Sequence, residues 1–151
     1  MRNGPIGTDA RFSGHPDRVS EPRWDDHADW WQREFTDGVD PEYVEQIIPL
    51  ALHHLAGRQS ILDVGTGEGQ IARALAAEGA EVIGLDPTAA QVDVGRSRGG
   101  GPRYALAGAA ALPVATASVD GVVVCLVLEH VDELDEALTE VARVLRPGGR
   151  F

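Results

Sequence analysis

The chain has no lysine, one cysteine, one methionine and few aromatic residues, and no apolar run in it is long enough to span a bilayer as a helix. All 13 basic residues are arginine, a bias that, with the abundance of alanine and glycine, reads as genome composition without mechanistic content. A single cysteine excludes an intramolecular disulfide, and Cys125, set in the run VVVCLV, reads as a small buried hydrophobe. Positive charge is scarce: the net charge is −11, with acids concentrated in Asp25–Glu45 and Glu129–Glu140. Phosphate backbones are bound by basic surfaces, so no nucleic-acid partner is expected, and the acids read as solvated helix faces. No membrane partner is expected either. His53 and His54 show no metal-ligand spacing with other residues, and no metal site is expected.

What is present suits one folded unit. A chain of 151 residues buries about 68–70% of its extended-chain surface on folding. An apolar fraction of 43% and a charged fraction of 25% exclude disorder over most of the length. The opening MRNGPIGTDARFSGHPDR lacks an apolar segment after Arg2, so a secretory signal is not expected and a cytoplasmic location is. Its glycine, proline and polar content predicts a mobile tail over 1–22, with the folded core over 23–151. Within Trp24–Phe35, Trp31 and Phe35 share a helical face, and Trp30 and Trp31 read as packing residues that anchor that helix. Asp40-Pro41 marks a helix start, Tyr43, Val44, Ile47 and Ile48 continue an apolar stripe, and Pro49 is expected to kink or divide the helix.

The stretch Ser60–Ile71, SILDVGTGEGQI, carries the strongest signal. Ile61, Leu62 and Val64 predict a strand buried on both faces. It empties into Gly65, Gly67 and Gly69, which tolerate positive φ and are expected to present bare N–H groups at the start of a helix. The spacing is G-x-G-x-G; Gln70 stands where the dinucleotide fingerprint wants a third glycine. A second strand, EVIGLD, closes on Asp86, where a carboxylate can accept from ribose hydroxyls or cap the following helix.

The remaining pattern alternates: strand 60–64, helix 68–78, strand 81–85, helix 88–97, strands 103–106 and 119–127, helix 133–145. Such alternation predicts an α/β fold, a parallel sheet with helices on both faces. For the last helix, Asp132 can act as the cap, and Leu134, Ala137, Leu138, Val141, Val144 and Leu145 form the apolar stripe. Pro147-Gly148-Gly149 ends it, and Arg150 and Phe151 are expected to begin another strand. Val122–Val127 reads as a central strand, left with an open edge that invites self-association; a fragment of a longer enzyme is the expected explanation.

Four pieces in order, ILDVGTGEG, VIGLDPT, AAALPVATASVDGVVV and VARVLRPGGRF, resemble the class I S-adenosylmethionine-dependent methyltransferases, in particular the small-molecule branch, over roughly Trp24–Phe151. The resemblance implies a Rossmann-like, doubly wound, mostly parallel sheet with N-terminal helices and C-terminal strands missing. It implies S-adenosylmethionine as cofactor and a small molecule as methyl acceptor. It places Asp63 near the cofactor's amino group, with Gly65, Thr66, Gly67 and Gly69 holding the methionine end. Asp86 and Pro87 would hold the ribose, Ala109 and Ala110 would offer backbone contacts to adenine, and Leu126 would lie at the end of the fourth strand. Relatives commonly carry an aspartate where this chain has Gly108, so weaker or differently satisfied adenine binding is expected. No catalytic residue is assigned; His130, matching a histidine frequent in relatives, and Glu129 are candidates. The alternative is a truncated cofactor-binding or interaction module without activity. A nicotinamide oxidoreductase is disfavoured by Gln70 and by the LRPGGRF ending.

Overall fold

A computed structural model describes residues 41–151. The expected tail, the Trp24–Phe35 helix with Trp30 and Trp31, and the Asp40 cap lie outside the described residues. The chain is helical from residue 41, but Tyr43–Ile47 forms a π-helical turn before α1 (Ile48–His54). The cause is Pro49 near the start of α1: without an N–H it cannot continue the i→i−4 ladder, and the preceding turn widens. The expected division at Pro49 is not seen: helical residues run unbroken from 41 to 54, and what changes is the winding, from π to α between Ile47 and Ile48.

Five parallel strands follow: β1 (Ser60–Val64), β2 (Glu81–Asp86), β3 (Arg103–Leu106), β4 (Val119–Val124) and β5 (Leu145–Arg150), in the order β3-β2-β1-β4-β5. Helices α2 (Gln70–Ala77), α3 (Ala89–Arg98) and α4 (Leu134–Val144) connect them. Central β1 pairs with β2 at Ser60↔Glu81 and with β4 at Ile61↔Gly121, so both its edges are paired. Its side chains alternate between two cores. Ile61 packs with Ile71, Leu75, Val92 and Tyr104 on one face of the sheet. Leu62 and Val64 pack with Leu85, Val122, Val141 and Val144 on the other. This is the doubly wound α/β arrangement, and its topological switch falls at β1, between β2 and β4.

Apart from shifts of one or two residues at the ends of α2, α3 and β2, three features differ from expectation. Strand β4 stops at Val124 rather than 127, because Leu126 sits in the left-handed region at φ 55° and turns the chain away from the sheet. Helix α4 has Glu133 as its N-cap in place of Asp132, with no side-chain capping bond, and Leu134 and Leu138 stay largely exposed while Ala137, Val141 and Val144 carry the burial. Strand β5 begins at Leu145, directly after α4, instead of at Arg150. Leu145 pairs with Val119 and Arg150 with Gly121; the intervening Pro-Gly-Gly bulges out, with Gly148 at φ 78°. The expected open edge of β4 is therefore covered at its start, while Val122–Val124 pair with β1 alone.

Candidate functional site

The turn after β1 folds back over the end of β2. Gly65 and Thr66 N–H groups donate to the Leu85 carbonyl at 2.7 and 2.9 Å, and Gly67 N–H donates to Asp86 Oδ2 at 2.8 Å. Gly65, Gly67 and Gly69 take φ of 73°, 56° and 88°, a region that side chains disfavour. At Gly65 the requirement is doubled, since a Cβ there would strike the Val127 side chain. The expectation of bare N–H groups is corrected: those of Gly65, Thr66 and Gly67 are spent on β2, and that of Gly69 donates to the Thr66 carbonyl at 2.9 Å.

The turn walls one side of an open cavity at the carboxyl ends of the strands, where ligands bind in open α/β sheets. Gly65, Thr66, Gly67, Glu68 and Gln70 line it from the turn; Asp86, Pro87, Thr88 and Gln91 from the end of β2 and the start of α3. Ala109 lies on the third side, and Cys125, Leu126, Val127, His130 and Val131, beyond β4, supply the fourth with Tyr43. Of the residues expected from the sequence, Gly65, Thr66, Gly67, Asp86, Pro87, Ala109, Leu126 and His130 are brought together there. Asp63, Gly69, Ala110 and Glu129 are not in its lining. Gly69 instead backs onto the Tyr104 ring, and Glu129 is exposed, 3.8 Å from His130 Nε2.

Asp63 lies beneath the turn, 2% exposed, and its Oδ2 accepts from the Thr66 hydroxyl at 2.7 Å. Burial pushes its carboxyl up to about 7; the Thr66 bond opposes the rise and the Asp86 charge adds to it. Asp86 is also buried, and its Oδ1 accepts from Thr88 N–H at 2.9 Å, so one carboxylate ties the glycine turn to the start of α3. It faces the cavity but does not cap α3, whose N-cap is Thr88 with no side-chain capping bond; Asp86 accepts from the N–H of that cap residue instead. Cys125 is half-buried at the cavity wall, not deep in the core, and burial pushes its thiol up.

Sequence reasoning did not assign Tyr43, Glu68, Gln70, Thr88, Gln91, Cys125, Val127 and Val131 to the site, and all of them line the cavity. Thr88 and Gln91 carried a signal, the T-x-x-Q spacing of a helix start just after the strand-closing acid. Glu68 carried none, because its partners Arg73 and Arg98 come from two different helices. Among the described residues no group of three or more metal-ligating side chains is found, and no helix is long and apolar enough to cross a membrane.

Residues 62–151 match the family described as methyltransferase domain. The ubiquinone/menaquinone biosynthesis C-methyltransferase UbiE of Rubrivivax gelatinosus is 38% identical over 94 residues, 62% of this chain and 38% of the relative. An O-methyltransferase of Aspergillus nomiae is 37% identical over 135 residues, 83% of this chain and 60% of the relative. Among solved structures, the YcgJ protein of Bacillus subtilis superposes with a TM-score of 0.65 at 29% identity, covering 74% of this chain and 49% of that one. The chain thus spans between 38% and 60% of the curated relatives named here.

Proposed function

This chain belongs to the class I S-adenosylmethionine-dependent methyltransferases, and from that membership we propose that it moves the methyl group of S-adenosylmethionine to a small-molecule acceptor. One observation supports the reading beyond family membership: the N–H groups of Gly65, Thr66, Gly67 and Gly69 are bonded within the fold, and Glu68 and Asp86, with no arginine, line the cavity among the described residues. A pyrophosphate needs free N–H donors or cations around it. S-adenosylmethionine carries an ammonium and a sulfonium beside its one carboxylate, a net positive charge that a cavity lined by Glu68 and Asp86 suits.

The residues fit such a cofactor. Gly67 has open space where a Cβ would stand, so the ligand can approach the backbone closely. Asp86 lines the cavity with a carboxylate, the acceptor type that ribose hydroxyls need. Asp63 and the turn Gly65–Gly69 would hold the methionine end, with Asp63 ionised by the ligand's charge. Pro87, Ala109, Ala110 and Leu126 would frame the nucleoside. Gly108 offers no side-chain acceptor to the adenine amino group, so that contact is made by backbone or is lost, at a cost of about 1–3 kcal/mol if a donor stays unpaired.

Bound there, S-adenosylmethionine supplies an electrophilic methyl for in-line displacement. The protein's part is to hold acceptor and methyl in near-attack geometry and to keep water out. Tyr43, Leu126, Val127 and Val131 present the apolar surface for that. His130, on the short 3-10 turn Leu128–His130, lines the cavity and would be the candidate base to take a proton from the acceptor. The unpaired end of β4 is the surface through which copies would self-associate, and sedimentation across a concentration range tests it.

Isothermal titration against S-adenosylmethionine and against NADH tests the reading. Saturable binding of the first alone is expected; binding of NADH alone, or of neither by folded protein, contradicts it. The second reading, a cofactor-binding module without activity, is favoured by Gly108 and would show as binding with no methyl transfer to any acceptor.

A further inference from the structure

Beneath the glycine turn lies a charged cluster that the reading above does not use. The Glu68 side chain is 2% exposed, and its Oε2 is shared by Arg73 Nη2 at 2.8 Å and Arg98 Nε at 3.0 Å. Arg73 also donates through Nη1 to the Glu68 carbonyl, so the turn is gripped by side chain and backbone at once. Tyr104, on β3, forms the floor. Its ring fills a slot walled by glycines of three separate elements. A Cβ on Gly69 would collide with the phenol, one on Gly84 would stand 2.7 Å from Cδ1, and one on Gly95 would stand 3.1 Å from Cε1. Glu68 Oε1 and Tyr104 Oη are both buried without a hydrogen-bond partner among the described residues.

The two arginines are not equivalent. Arg73 sits on α2, the helix the turn itself opens, so its pairing with Glu68 is local. Arg98 is the last residue of α3, the helix that starts just after Asp86 and Thr88. Its bond to Glu68 therefore joins the two strand-helix units that meet at the cavity, at the end of α3 opposite to the Gly67–Asp86 link. A buried carboxylate with two cations stays paired when one is removed, so the fold can survive the loss of Arg98. The turn's position relative to α3 is what changes.

We propose that Arg98 is a positioning residue for cofactor capture: with Tyr104 as floor, it pins Glu68 and so holds the Thr66–Gly69 turn where it receives the methionine end of the ligand. The inference rests on the S-adenosylmethionine reading of the cavity. A ligand without the amino-acid end does not use the turn in this way, and that separates positioning from general structural loss.

The test compares S-adenosylmethionine with 5′-methylthioadenosine by isothermal titration, on the full chain and on Arg98→Ala and Arg98→Lys, with thermal melting alongside. Arg98→Ala should weaken S-adenosylmethionine about tenfold, change methylthioadenosine by less than about twofold, and melt near the parent; Arg98→Lys should recover most of the affinity. Equal weakening of both ligands, or no weakening of either, overturns the positioning role. Parent protein that binds neither nucleoside overturns the cavity reading itself, and this inference with it.

Discussion

The backbone N–H of Gly67 donates to Asp86 Oδ2 at 2.8 Å, so the glycine turn after β1 and the acid that closes β2 are one mechanical unit. The other oxygen of that carboxylate holds Thr88 N–H, which places the start of α3 in the same unit. A single side chain thus ties the turn to the start of the helix and lines the cavity between them.

Replacing Asp86 by Ala should therefore cost both binding and stability. The loss of a charged acceptor predicts S-adenosylmethionine binding weaker by about 1–3 kcal/mol, and the two freed N–H groups predict a lower melting temperature. Titration calorimetry and thermal melting measure the two effects separately. Unchanged affinity would remove Asp86 from the ligand site and leave it as the tie between the glycine turn and Thr88.

Gly65→Ala should be poorly tolerated for two reasons that can be separated. The residue sits at φ 73°, and an added Cβ strikes Val127. Val127→Ala in the same chain should restore part of the lost stability by relieving the collision, while the backbone strain of about 1–3 kcal/mol remains. Chemical denaturation of the two single variants and the double variant gives the coupling, and strict additivity would contradict the contact.

Asp63 predicts a pH dependence of definite sign. Its folded carboxyl titrates at about 7, above the ordinary 3.8, so between those values the folded state holds a proton that the unfolded chain has released. Stability contributed by this group is then greatest at the acid end of that window, falls as pH rises toward 7, and levels off above it. Denaturant melts from about pH 4 to pH 8 should show the decline in the parent and its loss in Asp63→Asn. A slope unaltered in the variant would contradict the assignment.

Arg143 clasps the connection between β3 and β4 onto α4. Its guanidinium donates to the Leu112 carbonyl at 3.0 Å and the Val114 carbonyl at 2.8 Å, while Glu140 receives it and accepts from Leu112 N–H. Arg143→Ala should lower the melting temperature and loosen the segment carrying Ala109, detected as faster amide exchange over residues 107–114. Exchange unchanged there would show that the segment is held by other contacts.

Much of this was legible in the residues because the deciding forces are local. β1 and β3 stand where their apolar runs predicted, and β1 does so because a strand buried on both faces leaves no polar alternation to misread. The end of β4 was not legible: nothing in the apolar run to Val127 announces that Leu126 adopts a left-handed conformation. The early start of β5 escaped for a related reason, since Pro-Gly-Gly reads as a stop while a bulge lets pairing begin before it. In the site, Asp86 and the glycines were readable from spacing, whereas the Glu68 ion pairs needed α2 and α3 to be docked first.

The central claim is that the turn at Gly65–Gly69 and the segment Asp86–Thr88 form one adenosyl site, and amide resonances report on it directly. Titration of ¹⁵N-labelled protein with S-adenosylhomocysteine should shift Gly67, Glu68, Asp86 and Thr88 together along one saturation curve. Shifts confined to other parts of the sheet, with those four unmoved at saturation, would contradict the account.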